Sequence, residues 1–124
     1  MRNALAISLA GYAAASLLHH IHNAEYLADY PNMPAWLTPA KVYAAWAVET
    51  LLGLTGYVLL RAGYRVLGLV LVAVYAVVGF GGLDHYYVAS FAAHTFAMHL
   101  TILLEVAAAS VLLVAAVRSF RART

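Results

Sequence analysis

Long apolar runs alternate with short polar joints along this chain. Four runs, at about residues 4–22, 41–60, 66–87 and 94–117, are each roughly the length that an α-helix needs to cross about 30 Å of hydrocarbon. The four runs and their joints use the whole of residues 1–124, which favours one domain. The pattern therefore predicts an all-α protein, an integral membrane four-helix bundle.

The joint between the first two runs is the longest, and a proline-rich and aromatic composition sets it apart. Prolines disfavour helix in the residues before them, and Trp and Tyr concentrate at membrane interfaces. We therefore predict a short interfacial segment here, with Thr38 as the N-cap of the second helix and proline in its first turn. Its distinctive residues are Tyr26, Tyr30, Pro31, Pro34, Trp36 and Pro39.

Composition supports a membrane location and excludes several classes of function. The chain is 65% hydrophobic and only 10% charged, which is too apolar for a soluble domain of 124 residues. It contains no cysteine, so disulfides and thiolate metal sites are excluded. Its basic residues form no patch, and no nucleic-acid partner is expected. Expected partners are the lipid bilayer and either other membrane subunits or further copies of the chain.

Basic residues predict the orientation. In a four-span arrangement Lys41 lies alone on one side, and the positive-inside rule then places both termini in the cytoplasm. The expected location is the inner membrane of a bacterium. An alternative interpretation of the N-terminus is a secretory signal with small residues at 13–15 as its cleavage site. The residues on the basic side are Arg2, Arg61, Arg65, Arg118, Arg121 and Arg123.

Acids and histidines show the opposite distribution from the arginines. All six histidines and all five acids fall in the outer half of the predicted bundle or in its outer joints. At about 1.5 Å per residue, Glu49 lies roughly 18 Å from Arg61 and Glu105 roughly 20 Å from Arg118. The two glutamates therefore share a level inside the bundle, where an ionisable side chain is costly and is a candidate for function.

Helical spacing decides which of these groups face one another. At about 100° per residue, His94, Met98, Thr101 and Glu105 share one face of the fourth run, whereas His99 lies about 140° from His94. In the first run, the spacing of His22 and Glu25 suits one chelated metal or one hydrogen-bonded pair. Glycines at 79, 81 and 82 permit a kink or a close backbone approach.

These observations predict a polar site near the outer face, with a metal ion as its leading ligand. His94 is held in reserve, and His20 is interpreted as a structural residue. Glu49 and Glu105 are also the candidates for proton transfer. The candidate ligands and their supporting residues are His19, His22, Glu25, Glu49, Asp84, His85, His99 and Glu105.

Imidazole and carboxylate ligands without thiolates suit Fe, Zn, Mn or Cu(II), and such a metal would activate water or oxygen if the protein is an enzyme. Whether it is an enzyme is left open. One alternative is a non-catalytic accessory subunit of a respiratory or photosynthetic complex, with histidines ligating haem or a chlorophyll-type pigment. A second alternative is an element for proton or cation translocation, although the inner half offers no ionisable relay.

Overall fold

The fold is all-helical. The computed structural model describes residues 2–122, and these residues form helices and connecting turns without a β-strand. Met1 and Arg123, which entered the predictions of a signal sequence and of orientation, lie outside the described residues.

Five α-helices and three 3-10 segments follow one another along the chain. The helices are α1 (Arg2–Glu25), α2 (Pro39–Arg61), α3 (Arg65–Val78), α4 (His85–Val88) and α5 (Phe96–Arg121). The 3-10 segments are Leu27–Asp29, Gly79–Asp84 and Phe91–Ala93.

Within the described residues, four helical stretches are long and apolar enough to cross a membrane, as the apolar runs predicted. They are Asn3–Glu25 of α1, α2, α5 and the continuous stretch Arg65–Val88, in which a 3-10 segment joins α3 to α4. The 3-10 segment coincides with the three glycines that permitted a kink or a close approach.

Two threonine caps set where helices begin. Thr38 accepts a hydrogen bond from the Lys41 amide at 3.3 Å with Pro39 in the first turn, as predicted. Thr95 caps α5 in the same way by accepting from the Met98 amide. The last helix therefore begins at Phe96, two residues later than the apolar run predicted, because the capping residue itself is not helical.

The four spans pack as a ring in which α1 contacts α2 and α5, and α3 contacts α2 and α5. The closest approach is between α2 and α3. A Cβ atom on Gly68 would lie 2.6 Å from the carbonyl oxygen of Gly56, so both glycines are needed for this backbone contact.

The two ends of the bundle differ in chemistry. The end that holds the start of α1 is packed with buried apolar side chains, and there the Arg65 guanidinium donates to the carbonyl oxygens of Ser119 and Ala122 at the end of α5. The opposite end holds the polar groups described below. The buried apolar side chains include Leu5, Leu9, Leu69, Val72, Leu112 and Ala116.

Candidate functional site: a His/Glu cavity

A cavity of about 340 Å³ lies at the end of the bundle where α1 finishes and α5 begins. We call it the polar cavity. All four spans contribute to it, because antiparallel packing brings the end of α1, the middle of α2, the end of the third span and the first turns of α5 to one level. Its polar lining residues are His19, His20, Asn23, Glu49, Asp84, His85 and Glu105.

Carboxylates and imidazoles alternate through the polar cavity. His20 lies between the two glutamates, with its Nε2 atom 3.7 Å from Glu49 Oε2 and its Nδ1 atom 3.9 Å from Glu105 Oε1. The other Glu105 oxygen lies 3.8 Å from His19 Nε2. The order Glu49, His20, Glu105, His19 therefore forms a chain of groups that can each accept or donate a proton. We call it the Glu–His chain.

One end of the Glu–His chain is accessible and the other is enclosed. The side chain of Glu49 is 30% exposed, whereas those of Glu105 and His19 are 3% and 5% exposed. A ligand that enters the cavity therefore meets Glu49 before it meets Glu105.

Hydrogen bonds outside the cavity fix how the two imidazoles present their nitrogens. His20 Nδ1 lies 2.8 Å from the carbonyl oxygen of Ser16, which only accepts, so this nitrogen carries the hydrogen. Thr101 donates its hydroxyl hydrogen to the Met98 carbonyl and therefore accepts from His19 Nδ1 at 3.3 Å. In the neutral form of each ring, Nε2 is then an unprotonated acceptor that faces a carboxylate.

Two acceptors that face each other need a donor between them. The separations of 3.7 and 3.8 Å exceed the length of a direct hydrogen bond. A shared proton, a water molecule that donates to both groups, or a cation can join a carboxylate to an imidazole lone pair at this distance. The Glu–His chain is therefore arranged to receive donors.

A third acceptor lies nearby. Asn23 donates from Nδ2 to His85 Nε2 at 3.1 Å, and its Oδ1 is buried without a hydrogen-bond partner among the described residues. Asn23 is 7% exposed and lines the polar cavity. Asp84 is exposed, and the hydrogen bond to the His85 ring comes from Asn23.

Glycine allows the backbone of the third span to approach the buried carboxylate. A Cβ atom on Gly82 would lie 2.9 Å from Glu105 Oε2, whereas one on Gly81 would meet nothing within 4 Å. Gly82 therefore leaves the space in which the Glu105 carboxylate sits.

Three predicted ligands lie outside the cavity lining. His22 Nδ1 is 2.9 Å from the Tyr30 hydroxyl, and the exposed Glu25 accepts from the Tyr43 hydroxyl at 2.6 Å. His22 and Glu25 therefore each have another hydrogen-bond partner in place of each other, and their role as metal ligands stays a prediction. His99 contacts the Tyr86 hydroxyl through Nδ1 at 2.7 Å and stacks on Phe91 with ring centroids 3.8 Å apart.

The predicted facing of the last span is confirmed. Met98, Thr101 and Glu105 are buried, and so is His94, which precedes the helix and bonds through Nδ1 to the Ser90 carbonyl at 2.9 Å. His99 is half-buried against a side wall, as its angle predicted.

Tyr30, in the joint between α1 and α2, packs against the polar end of the bundle. It is buried, its ring lies 4.9 Å from that of His85, and burial raises the pKa of its phenol to about 12. The interfacial joint therefore folds one aromatic residue inward onto the histidines while Tyr26 and Trp36 remain exposed.

Sequence reasoning missed two residues of the cavity. His20 was interpreted as a structural residue, yet it lies between the two glutamates. Asn23 carries no charge and was passed over, although its spacing of four from His19 was a usable signal.

The predicted metal ligands do not form a ready coordination shell. Within residues 2–122, no group of three or more His, Asp or Glu side chains is placed to hold one metal ion. The reason is visible in the Glu–His chain, where Glu49 and Glu105 approach different nitrogens of His20. Comparisons with protein-family models, with curated proteins and with solved structures found no match.

Proposed function

We propose that this protein is a small integral membrane protein whose polar cavity is an acid–base site. In this proposal Glu49 exchanges a proton with a ligand in the cavity and passes it to His20 Nε2. His20 then gives up its Nδ1 proton, which leaves the Ser16 carbonyl, to Glu105, which His19 supports. The alternation of carboxylates and imidazoles at 3.7–3.9 Å carries the proposal, because each step is within the reach of a proton carried by one small movement or one water.

The proposed orientation follows the positive-inside rule. One end of the bundle carries arginines in the terminal turns of its helices, and Lys41 lies at the other end. The arginines are Arg61, Arg65, Arg118 and Arg121. Both termini are then cytoplasmic and the polar cavity opens toward the outer face. A single domain in a bacterial inner membrane fits this arrangement.

The test is whether the Glu105 carboxyl group and the imidazole rings of His19 and His20 titrate as one unit. Protein labelled with ¹⁵N-histidine in nanodiscs is titrated while infrared spectra report carboxyl protonation. Groups that share a proton titrate with coupled, macroscopic steps. We expect the His19 and His20 signals to change together with a carboxyl band that Glu105→Gln removes.

Glu25→Gln is the matched control, since Glu25 is an exposed carboxylate bonded to Tyr43 outside the cavity. It should leave both histidine titrations unchanged. If Glu105→Gln also leaves them unchanged in a folded protein, the acid–base proposal fails.

A metal ion in the same cavity is the second candidate, and the two unprotonated Nε2 atoms that face carboxylates favour it. Side chains would have to move to complete a coordination shell. Metal analysis of the purified protein, with Co²⁺ as a coloured substitute, tests it. Retention of the fold without metal and no Co²⁺ spectrum would exclude it, and a Soret or pigment band would favour the haem or pigment alternative.

A further inference from the structure

The polar cavity contains acids and imidazoles but no fixed positive side chain. Its ionisable lining groups are three carboxylic acids and three histidines, and no Arg or Lys of the described chain lines it. The nearest basic residue in sequence, Lys41, donates to the Trp36 carbonyl at 3.0 Å and lies over the Trp36 ring. An anionic ligand would find no counter-charge here.

Most of the unused side-chain groups of the cavity are acceptors. They are the Nε2 atoms of His19 and His20 and the carboxylate oxygens, beside one donor, the Nδ1–H of the neutral His85 ring, whose Nε2 accepts from Asn23. A buried acceptor without a partner costs free energy that a donor ligand would recover. A primary ammonium group offers three donors and one positive charge.

Part of the cavity lining is apolar, and we call this part the apolar wall. Its residues come from the interhelical joint, α2 and the third span. Ligand sites of this size typically combine an apolar wall with a few convergent polar groups. The apolar residues of the wall are Leu37, Val42, Ala45 and Val78.

We propose that the ligand of the polar cavity is an organic amine in its ammonium form, with a hydrocarbon group that lies on the apolar wall. This inference rests on the proposed acid–base function and names the class of ligand that the site serves. The ammonium group binds beside Glu49 and Glu105, and its protons are those that the Glu–His chain exchanges.

The test compares three probes that share a cyclohexyl ring and differ in their polar group: cyclohexylamine, cyclohexanol and the slightly larger cyclohexanecarboxylate. Binding is measured by saturation-transfer NMR with the protein in phosphatidylcholine nanodiscs, and empty nanodiscs report partition into lipid. We expect the amine to bind at least tenfold more tightly than the alcohol, and the carboxylate not to bind.

Variants locate the binding to the cavity. Glu105→Gln and Glu49→Gln should each weaken amine binding about tenfold, and the more exposed Glu49 provides a variant whose fold is less at risk. Asp29→Asn is the matched control, because Asp29 is an exposed acid outside the cavity lining and its loss should leave binding unchanged.

Three results would overturn the amine proposal: equal binding of the alcohol, amine binding that both glutamate variants leave intact, or binding of Zn²⁺ without binding of the amine. The proposed acid–base function fails separately. Coupled titration of Glu105 with the histidines but no amine binding removes the ligand class alone, whereas amine binding without coupled titration removes the relay.

Discussion

Gly82→Ala should move the buried carboxylate without unfolding the protein. The added methyl carbon would lie 2.9 Å from Glu105 Oε2 and 3.7 Å from Ile102 Cγ2. The first distance is about 0.5 Å short of ordinary van der Waals contact, so the carboxylate must move by roughly that amount. The obstructing atom is the far end of a flexible side chain, so we expect a stability cost of less than about 1 kcal/mol.

The displacement changes how Glu105 meets both imidazoles. Loss of one hydrogen bond through a shared proton or water corresponds to about 0.5–1.5 kcal/mol. The affinity for cyclohexylamine should therefore fall roughly twofold to tenfold. The infrared band of the Glu105 carboxyl group, assigned with Glu105→Gln, should also shift.

Gly81→Ala separates this effect from the general cost of replacing glycine in the 3-10 segment. Its added carbon would meet nothing within 4 Å, so the Glu105 band should remain at the wild-type position. If the Glu105 carboxyl band has the same frequency in Gly82→Ala as in Gly81→Ala, then Gly82 does not set the position of the carboxylate and the proposed geometry is refuted.

Three further results are expected. Gly68→Ala should lower the free energy of unfolding by about 1–3 kcal/mol, because the added Cβ atom forces α2 away from α3. Gly11→Ala is the control and should not destabilise the protein, since its Cβ atom would meet nothing within 4 Å. Thermal or SDS unfolding measures both. Burial raises the pKa of the Tyr30 phenol to about 12, so its contribution to stability is complete below about pH 10, where the unfolded phenol titrates, and is lost as the pH rises through 12. The melting temperature of Tyr30→Phe should therefore lack this alkaline decrease. Arg65→Gln should destabilise by about 1–3 kcal/mol through loss of its bonds to carbonyls of α5.

Each of these has a clear contrary outcome. An unchanged melting temperature for Gly68→Ala would mean that the two helices are not in close contact. If the melting temperatures of wild type and Tyr30→Phe fall equally as the pH is raised, the phenol is not buried. Arg61→Gln serves as the control for Arg65, since the Arg61 guanidinium reaches only the Tyr57 hydroxyl at 3.5 Å.

The sequence was sufficient for the membrane helices because their length and hydrophobicity are fixed by the thickness of a bilayer. It was also sufficient for the level of Glu49 and Glu105, since rise per residue converts sequence distance from the arginines into depth. Facing was predicted correctly where the helix is regular, as for Met98, Thr101 and Glu105 in α5.

Partner choice could not be predicted from spacing alone. His22 and Glu25 have the spacing of a pair, but the joint after α1 brings Tyr30 to the first and α2 brings Tyr43 to the second. Both partners depend on how residues 26–38 turn back over the bundle, and helical periodicity does not describe that path.

The role of His20 could not be predicted from helical spacing either. A helical wheel separates neighbouring residues by about 100°, so His19 and His20 cannot both point along one line. Both nevertheless reach Glu105, because the two rings approach different oxygens of its carboxylate, His19 approaching Oε2 and His20 approaching Oε1. Helix packing, which one sequence leaves undetermined, decides this.

The position of the Glu–His chain explains why the proposed chemistry is one-sided. Below Glu105, the described core passes from the Tyr12 and Tyr75 hydroxyls to aliphatic side chains around Leu69 and Leu112. Carrying a proton through that layer without a polar group would expose charge to hydrocarbon at a cost of several kcal/mol or more. In the proposed scheme, a proton that reaches Glu105 therefore returns by the route through Glu49. The arrangement favours exchange with a bound ligand over translocation, because the accessible end of the chain is also its exit.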